Sequence, residues 1–324
     1  MIHSVLHAIW VFFHHLAAVE WKWLAIGILC HLCKLLAVSS AWRNIIKAAY
    51  PDQRVRWRQM FGSYVAGTGV NAIIPARGGD VVRLFLAKRR IEGSTYTTLV
   101  STSLLQTMFD MFVASCFILW AVTQHVLPGL DVLRSPSLPA LDYGWAFHHP
   151  VAGLILFGLL LLFGTALVAW VAERVEEFKA KVAQGFAAFR DRSYYLRRVV
   201  LWQVLDWSLR LATVFFFLRA FGIPATLRNA LLVQVSQSLA TIFPVSPAGI
   251  GTEQALLLYI FRHVTSKSVA LSFSVGMRVT LIVVNAVVGF AAILLMTGTL
   301  RVRQAAEADR AGGKPARANV SDGR

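Results

Sequence analysis

Two stretches of the sequence decide its fold: GVNAIIPARGGDVVR at residues 69–83 and IFPVSPAGIGTE at residues 242–253. Each interrupts an apolar segment with helix-breaking Pro and Gly and then presents one carboxylate, Asp80 or Glu253. Proline removes a backbone donor and glycine weakens a helix, so each stretch predicts a helix that breaks and reverses. Broken helices at corresponding positions of two halves are typical of transporters, where they form the binding site.

The composition places the chain in a membrane. Hydrophobic residues make up 57% of the 324 residues and charged residues only 15%, whereas soluble domains carry about 25% charged residues. Uncharged runs at 151–171 and 279–300 are long enough to cross a bilayer. The net charge of +16 comes from Lys and Arg in short loops beside apolar segments, as the positive-inside rule describes. We therefore expect no nucleic-acid partner.

The distribution of charge along the chain predicts its topology. Basic loops at 43–58 and 173–198 mark the cytoplasmic side, and the turn-rich loop at 124–149 marks the outside. The pattern predicts an all-α polytopic membrane protein with about six transmembrane helices plus two re-entrant broken helical hairpins. We expect a location in the cytoplasmic (inner) membrane, with both termini cytoplasmic. Apolar residues that recur at intervals of three and four within 173–192 predict an amphipathic surface helix.

The two hairpins belong to a predicted inverted repeat. A span, a hairpin and a second span form repeat one at 21–123, and the same order forms repeat two at 199–300. The first hairpin enters from the cytoplasm and the second from outside, as inverted repeats require. We expect one membrane domain over 1–300 and a disordered cytoplasmic tail over 301–324, which is polar and rich in Ala, Gly and Arg.

The two breaks hold the residues expected to bind a ligand. Helix ends at a break offer free N–H groups that attract anions, glycine lets the backbone approach closely, and Arg binds phosphate bidentately. The predicted residues that bind a headgroup are Asn71, Arg77, Gly78, Gly79, Asp80, Arg83, Ser246, Gly249, Gly251 and Glu253. We place headgroup binding chiefly at the first break, because it holds two cations.

A structural role is the alternative for both carboxylates. Asp80 would then cap a half-helix starting at Val81 and pair with a neighbouring Arg. Glu253 has the same ambiguity, since it lies in the first turn after Gly251. A buried carboxylate that alternates between protonated and ionised states would instead couple the site to protons.

Further charged residues lie inside predicted spans: Lys34, Asp110, Asp206, Arg210 and Arg278. Ionisable residues in a membrane are costly and therefore indicate function. Asp206 and Arg210 are four residues apart and share a helix face, so mutual neutralisation is the structural alternative. Asp110 and Arg278 occupy comparable positions in the final spans of the two repeats, and we expect them to approach each other. Amides such as Gln237 and Asn285 are interpreted as contacts between helices.

Enzyme chemistry is not expected of this sequence. It contains no nucleophile elbow, zinc-protease motif or P-loop. Cys30 and Cys33 have the spacing of metal ligands, but no second ligand pair accompanies them. We therefore expect no catalytic residue, no metal and no cofactor.

The two breaks resemble the paired signatures of a known family. N-x-x-x-P-x-R-x-G-D-x-x-R at 71–83 and P-x-S-P-x-G-x-G-x-E at 244–253 are similar to signatures of the lysylphosphatidylglycerol synthase transmembrane-region family, also called flippase-like domain proteins. The resemblance extends over roughly residues 1–300. It implies lipid handling, because in bifunctional members this domain is associated with flipping aminoacylated phosphatidylglycerol. By motif match, the residues carried over as functional are Arg77, Asp80, Arg83 and Glu253.

The resemblance implies two alternative functions. In the first, the protein translocates an anionic or glycosylated lipid, and its partner is an anionic phospholipid or a polyprenyl-linked lipid. In the second, it is a non-transporting lipid-binding accessory module for a cytoplasmic lipid-modifying enzyme, either a lipid synthase or a glycosyltransferase. Bifunctional members append an aminoacyltransferase domain, whereas only residues 301–324 follow the last span here. We therefore do not expect this chain alone to make lysylphosphatidylglycerol.

Overall fold

The computed structural model describes residues 19–74, 78–124, 176–242 and 251–297, and within these ranges the chain is helical and contains no strand. Four of the described helices are long and apolar enough to cross a membrane: Trp21–Ala49, Tyr96–Thr123, Arg192–Ala220 and Lys267–Met296. The chain is thus an all-α, multi-pass membrane protein. The predicted span at 151–171 and the predicted tail at 301–324 lie outside the described residues.

Each half contains a long helix, two shorter helices and a second long helix. The first half consists of α1 (Trp21–Ala49), α2 (Trp57–Ile73), α3 (Gly78–Lys88) and α4 (Tyr96–Thr123). A short helix, α5 (Glu176–Gly185), follows. The second half consists of α6 (Arg192–Ala220), α7 (Leu227–Ile242), α8 (Thr252–Ile260) and α9 (Lys267–Thr297).

Local sequence explains where several helices begin and end. The Thr95 hydroxyl accepts from the Thr98 N–H at 3.2 Å and caps α4. Gly222, with φ of +69°, ends α6, because few other residues adopt this left-handed conformation. Gly251, with φ of +93°, precedes α8, and its N–H donates to the Gln254 side chain at 2.7 Å. These helix ends determine the directions of the segments that follow them.

The beginning of α6 contains a π-helical segment, Tyr195–Val200. Such a segment disturbs the regular backbone hydrogen bonds of a helix and can release a carbonyl. The Asn44 amide on α1 donates to the Arg198 carbonyl at 2.6 Å, and the Tyr194 hydroxyl donates to the Asn44 carbonyl at 2.9 Å. The irregular segment is therefore held against α1 by side-chain hydrogen bonds.

The same helix pairings occur in both halves. α1 packs against α6, which is its counterpart in the second half. α2 packs against α9 of the other half, and α7 packs against α4 in the same way. Three pairings within the first half also have a counterpart within the second half. The pair α2–α3 corresponds to α7–α8, α3–α4 to α8–α9, and α1–α2 to α6–α7. Exchanging the halves therefore leaves the pattern of packed helices unchanged.

α2 and α9 cross at two glycines. A Cβ atom on Gly69 would lie only 2.5 Å from the Gly289 Cα and 2.8 Å from the Asn285 carbonyl oxygen. Small residues allow helix backbones to approach closely inside a membrane. The crossing brings α2, which leads into the first break, directly against the last helix of the second half.

α5 packs across the C-terminal end of α1 and the N-terminal end of α4. Gly185 packs against Ser101 on α4, and the Gln184 amide donates to the Ala49 carbonyl at 2.9 Å. Within the predicted amphipathic helix at 173–192, residues 173–175 lie outside the described residues, α5 ends at Gly185, and the Asp191 carboxylate caps the next helix at 3.0 Å. α5 thus packs on the helix ends through specific contacts.

Large apolar side chains are exposed along the outer faces of the long helices. Phe112 on α4 is 67% exposed and Leu295 on α9 is 89% exposed. Val279, Val283 and Val287 follow one another at steps of four on α9 and are also exposed. Exposed apolar faces of this kind fit a lipid environment.

Candidate functional site

The first break is closed by the side chain of Asn71. Its amide oxygen accepts from the Gly79 N–H at 2.8 Å, and its amide nitrogen donates to the Asp80 carboxylate at 3.2 Å. Asn71 lies at the end of α2, while Gly79 and Asp80 lie in the first turn of α3. One side chain therefore joins the two helices across the break.

Gly79 allows α2 and α3 to touch through their backbones. A Cβ atom on Gly79 would overlap the Gly67 carbonyl and lie 2.7 Å from the Asn71 nitrogen. Among the residues that the structure describes, a Cβ on Gly78 would meet only the Ile74 side chain, at 3.4 Å. The two adjacent glycines are thus unequal: the first has space for a side chain and the second has none.

Asp80 does not occupy the capping position considered in the sequence. α3 begins at Gly78 and not at Val81, so Asp80 lies within its first turn. A carboxylate there interacts favourably with the positive end of the helix dipole. The Asp80 carboxylate accepts a hydrogen bond from the Asn71 amide, and the preceding Arg77 lies outside the described residues.

Arg83 contacts three helices of the first half. Its guanidinium lies 4.6 Å from the ring centroid of Trp42 on α1 and 5.0 Å from that of Tyr64 on α2. It also donates to the Ser103 hydroxyl on α4 at 2.8 Å. Its buried Nε has no hydrogen-bond partner among the described residues. Arg83 therefore stabilises the packing of α3 and keeps one donor available.

The second break places a buried carboxylate at the start of α8. Glu253 is 8% exposed, and its carboxylate accepts from the Gln237 amide at 3.2 Å and from the Arg278 guanidinium at 3.1 Å. These partners lie on α7 and α9. The predicted residues Ser246 and Gly249 lie outside the described residues.

Arg278 brings a cation to the second break, whereas the sequence indicated two cations at the first break. The sequence places no Arg close to Glu253, but α9 packs against α8 and brings Arg278 beside it. The side chain of Arg278 remains 24% exposed. The second break therefore presents a guanidinium as well as a carboxylate.

A cavity of about 260 Å³ lies between the two breaks. Its apolar wall comes mainly from α9. Its polar lining residues come from α2, α7, α8 and α9: Thr68, Asn71, Gln237, Glu253, Arg278 and Asn285. The structure thus brings Asn71 and Glu253, predicted from separate halves, to one cavity.

Asn285 and its partner His31 complete the surroundings of the cavity. The His31 Nε2 and the Asn285 Oδ1 are 2.8 Å apart, and they join α1 to α9. Sequence reasoning interpreted Asn285 and Gln237 as contacts between helices, and gave neither a role in the site. A signal was present, because Arg278 and Asn285 are two helical turns apart on an apolar helix and therefore share a face.

Four of the five predicted intramembrane charges divide between two locations. Arg278 lines the cavity and pairs with Glu253. Arg210 and Asp206 pair at 2.9 Å on α6, and Asp110 accepts from the indole of Trp207 at 3.0 Å. The structure therefore separates the predicted network into a cavity pair and an α4–α6 group.

The cavity offers the chemistry of a hydrogen-bonding headgroup site. The amide nitrogens donate, the carboxylate accepts, and the Arg278 guanidinium can bind a phosphate or carboxylate. The apolar wall of α9 accommodates carbon atoms next to this polar lining. Among the described residues, no group of His, Cys, Asp or Glu side chains is arranged to hold a metal ion.

The chain is similar in sequence to known membrane proteins. The family described as Lysylphosphatidylglycerol synthase TM region matches residues 6–289. The UPF0104 membrane protein MJ1078 of Methanocaldococcus jannaschii is 23% identical over 197 residues, an alignment that covers 60% of this chain and 79% of that protein. No solved structure matches the chain.

Proposed function

Because the chain belongs to the lysylphosphatidylglycerol synthase transmembrane-region family, we propose that it moves a lipid with an anionic or glycosylated headgroup across the membrane. The observation that carries this proposal is the cavity between the two breaks, which polar residues of both halves line. A polar headgroup would enter this cavity while its acyl chains remain in the bilayer. The name of the matching family supports a role with membrane lipids.

The polar lining supports the choice of substrate class. Arg278 can form two parallel hydrogen bonds with a phosphate, whereas amides and a carboxylate bind sugar hydroxyls equally well. Arg77, Gly78, Gly79, Asp80 and Arg83 remain proposed binding residues at the first break, and Ser246, Gly249 and Gly251 at the second. Candidate lipids are therefore an anionic phospholipid and a polyprenyl-linked lipid.

The matching helix pairs support an alternating-access mechanism. Inverted repeats allow one half to rock against the other around a central site. The pairings α1–α6, α2–α9 and α4–α7 all join the two halves, so rocking would shift helices on both sides of the cavity. In this proposal, the cavity faces the cytoplasm in one arrangement and the outside in the other.

Lipid movement in reconstituted vesicles tests the proposal. Purified protein is placed in phosphatidylcholine vesicles that contain fluorescent phosphatidylglycerol, and a membrane-impermeant quencher reports the lipid in the outer leaflet. We expect Arg278→Gln to slow movement about tenfold or more, because a charged hydrogen bond contributes about 1.5–3 kcal/mol. The matched control is Arg262→Gln, because Arg262 is exposed. This substitution should leave the rate of lipid movement unchanged.

Three results would count against the proposal. Wild-type vesicles that lose no more signal than protein-free vesicles would show that this lipid is not moved, and a glycosylated polyprenyl phosphate would then be the second probe. Failure with both lipids, together with purification in complex with a lipid-modifying enzyme, would favour the accessory-module alternative. Equal rates for Arg278→Gln and Arg262→Gln would remove the cavity from the mechanism.

A further inference from the structure

A second polar cluster lies where the two halves meet, outside the headgroup cavity. Its members are Lys34 on α1, Asp110 on α4, and Asp206 and Arg210 on α6. Resting on the proposed lipid movement, we propose that this cluster binds and releases a proton as the halves rock, and so couples lipid movement to the proton gradient. We call these four residues the interhalf cluster.

The cluster is held together by short contacts between α4 and α6. The Arg210 guanidinium donates to the Asp206 carboxylate at 2.9 Å, and Asp206 is only 1% exposed. The indole of Trp207 donates to Asp110 at 3.0 Å, and the Arg210 guanidinium lies 4.3 Å from the Trp207 ring centroid. The carboxylates of Asp110 and Asp206 and the guanidinium of Arg210 therefore lie together between α4 and α6, with the Arg210 side chain 26% exposed.

Several buried polar atoms of this region have no hydrogen-bond partner among the described residues. They are the amide oxygen and nitrogen of Gln203, Oδ1 of Asp206 and Nε of Arg210. Gln203, Asp206 and Arg210 lie at intervals of three and four residues, so they share one face of α6. Buried polar groups are normally satisfied by protein or by water. The cluster therefore has the polar surface that internal water requires, and water chains conduct protons.

Lys34 has the fewest polar contacts within the cluster. It forms no hydrogen bond or ion pair with another described residue, although Arg210, Asp206 and Asp110 lie within electrostatic range. Lys34 is half-buried, and a lysine removed from water exchanges its proton more readily than arginine, whose guanidinium stays charged. Loss of a proton from Lys34, or gain of one by Asp110, would change the charge of an otherwise balanced group.

The surroundings of the cluster come from several helices. Tyr64 on α2 lies within electrostatic range of Asp110, Asp206, Arg210 and Arg83 of α3. On α1, one turn before Lys34, His31 bonds to Asn285, which lines the headgroup cavity. His31 is therefore the contact through which the cavity and the interhalf cluster can influence each other.

The position of the cluster makes its proton occupancy depend on the arrangement of the halves. Lys34 and Asp110 belong to the first half, whereas Asp206 and Arg210 belong to the second. Rocking one half against the other changes the distances between these charges, and interactions between buried charges depend strongly on distance. A proton bound in one arrangement would therefore be released in the other.

Steady-state lipid distribution measures this coupling. Wild-type protein is reconstituted in phosphatidylcholine vesicles with fluorescent phosphatidylglycerol, and a pH difference of one unit is imposed. If one proton moves with each lipid, the ratio of labelled lipid between the leaflets should shift about tenfold, since one pH unit corresponds to a factor of ten. Lys34→Met and Asp110→Asn should leave the ratio near its value without a gradient.

The two variants and their control are chosen to preserve folding. Asp110→Asn retains an amide oxygen that can accept from Trp207, and Lys34→Met removes a side chain without a described hydrogen-bond partner. Lys47→Met is the matched control, because Lys47 is exposed on the same helix. It should respond to the gradient like the wild type.

Proton exchange in detergent tests the cluster without requiring transport. A pH-indicator dye in weak buffer reports protons taken up or released when phosphatidylglycerol micelles are added. We expect exchange by the wild type and by Lys47→Met, and none by Lys34→Met. If the lipid distribution does not respond to the pH gradient, or if all variants respond equally, proton coupling is contradicted. The proposed lipid movement is unaffected by either result. Absence of movement would contradict the proposed function, and the dye measurement would then decide the proton site alone.

Discussion

At the scale of single residues, Arg83 combines a packing role with a charge. Its guanidinium lies near the rings of Trp42 and Tyr64 and donates to Ser103. A planar guanidinium can stack on aromatic rings and donate hydrogen bonds in its plane at the same time. The position of Arg83 in the motif at 71–83 is therefore explained in part by the packing of α3 against α1, α2 and α4.

Replacement of Arg83 should reduce stability as well as lipid movement. We expect Arg83→Ala to lower the free energy of unfolding by about 1–3 kcal/mol, from the lost cation–π contacts and hydrogen bond. Arg83→Lys should recover only part of this loss, because an ammonium group does not stack. Thermal unfolding in detergent measures the effect, with the exposed Arg54→Ala as control. Wild-type stability of Arg83→Ala would exclude the packing role.

At the scale of helices, the first break depends on contact between the backbones of α2 and α3. Gly67 and Gly79 meet without intervening side chains, and Asn71 bonds across the break to both Gly79 and Asp80. The glycines determine how closely the helices approach, and the asparagine fixes their relative position. This arrangement orients the polar end of α2 towards the cavity.

The adjacent glycines of α3 provide a direct test of this packing. Gly79→Ala should reduce stability by about 1–3 kcal/mol or more, because its methyl group would overlap backbone atoms of α2. Gly78→Ala has space and should change stability by less than about 0.5 kcal/mol. Thermal unfolding of the two variants in the same detergent gives the comparison. Equal stabilities would show that α2 and α3 do not approach as closely as described.

At the scale of the whole molecule, polar contacts divide into those within a half and those between halves. Asn71–Asp80 and Glu253–Arg278 each lie within one half. His31–Asn285 and Asp110–Trp207 join the halves. Movement between two rigid halves would preserve the first group and change the second.

A reversible cross-link between the halves should stop this movement. His31→Cys and Asn285→Cys, in a chain whose native cysteines are replaced by Ala, place thiols on α1 and α9. After treatment with the shortest bifunctional thiosulfonate, lipid movement should fall about tenfold or more and return on reduction, since the two conformations can no longer interconvert.

The matched control joins two helices of the same half. The Trp57 indole donates to the Ser40 hydroxyl at 2.9 Å, and both residues belong to the first half. The Ser40→Cys and Trp57→Cys pair should form the cross-link with little effect on the rate. Full activity of the cross-linked 31–285 pair would contradict movement between the halves.

The candidate site was predictable only where its contacts are local. Asn71 and Asp80 are nine residues apart and share one motif, so sequence alone linked them. Gln237 and Arg278 reach Glu253 from 16 and 25 residues away, and His31 reaches Asn285 across 254 residues. No local pattern determines such contacts, because they depend on which helices pack together.

The sequence by itself determined that this protein is a helical membrane protein with one break in each half. Apolar length, Pro and Gly content and loop charge are properties of the chain, and they act locally. Only the tertiary structure decided that Asn71 and Glu253 line one cavity, that Arg278 belongs to that cavity, and that Asp110 lies with Asp206 and Arg210. The physical reason is that α2–α9 and α1–α6 packing brings together residues that are remote in the chain.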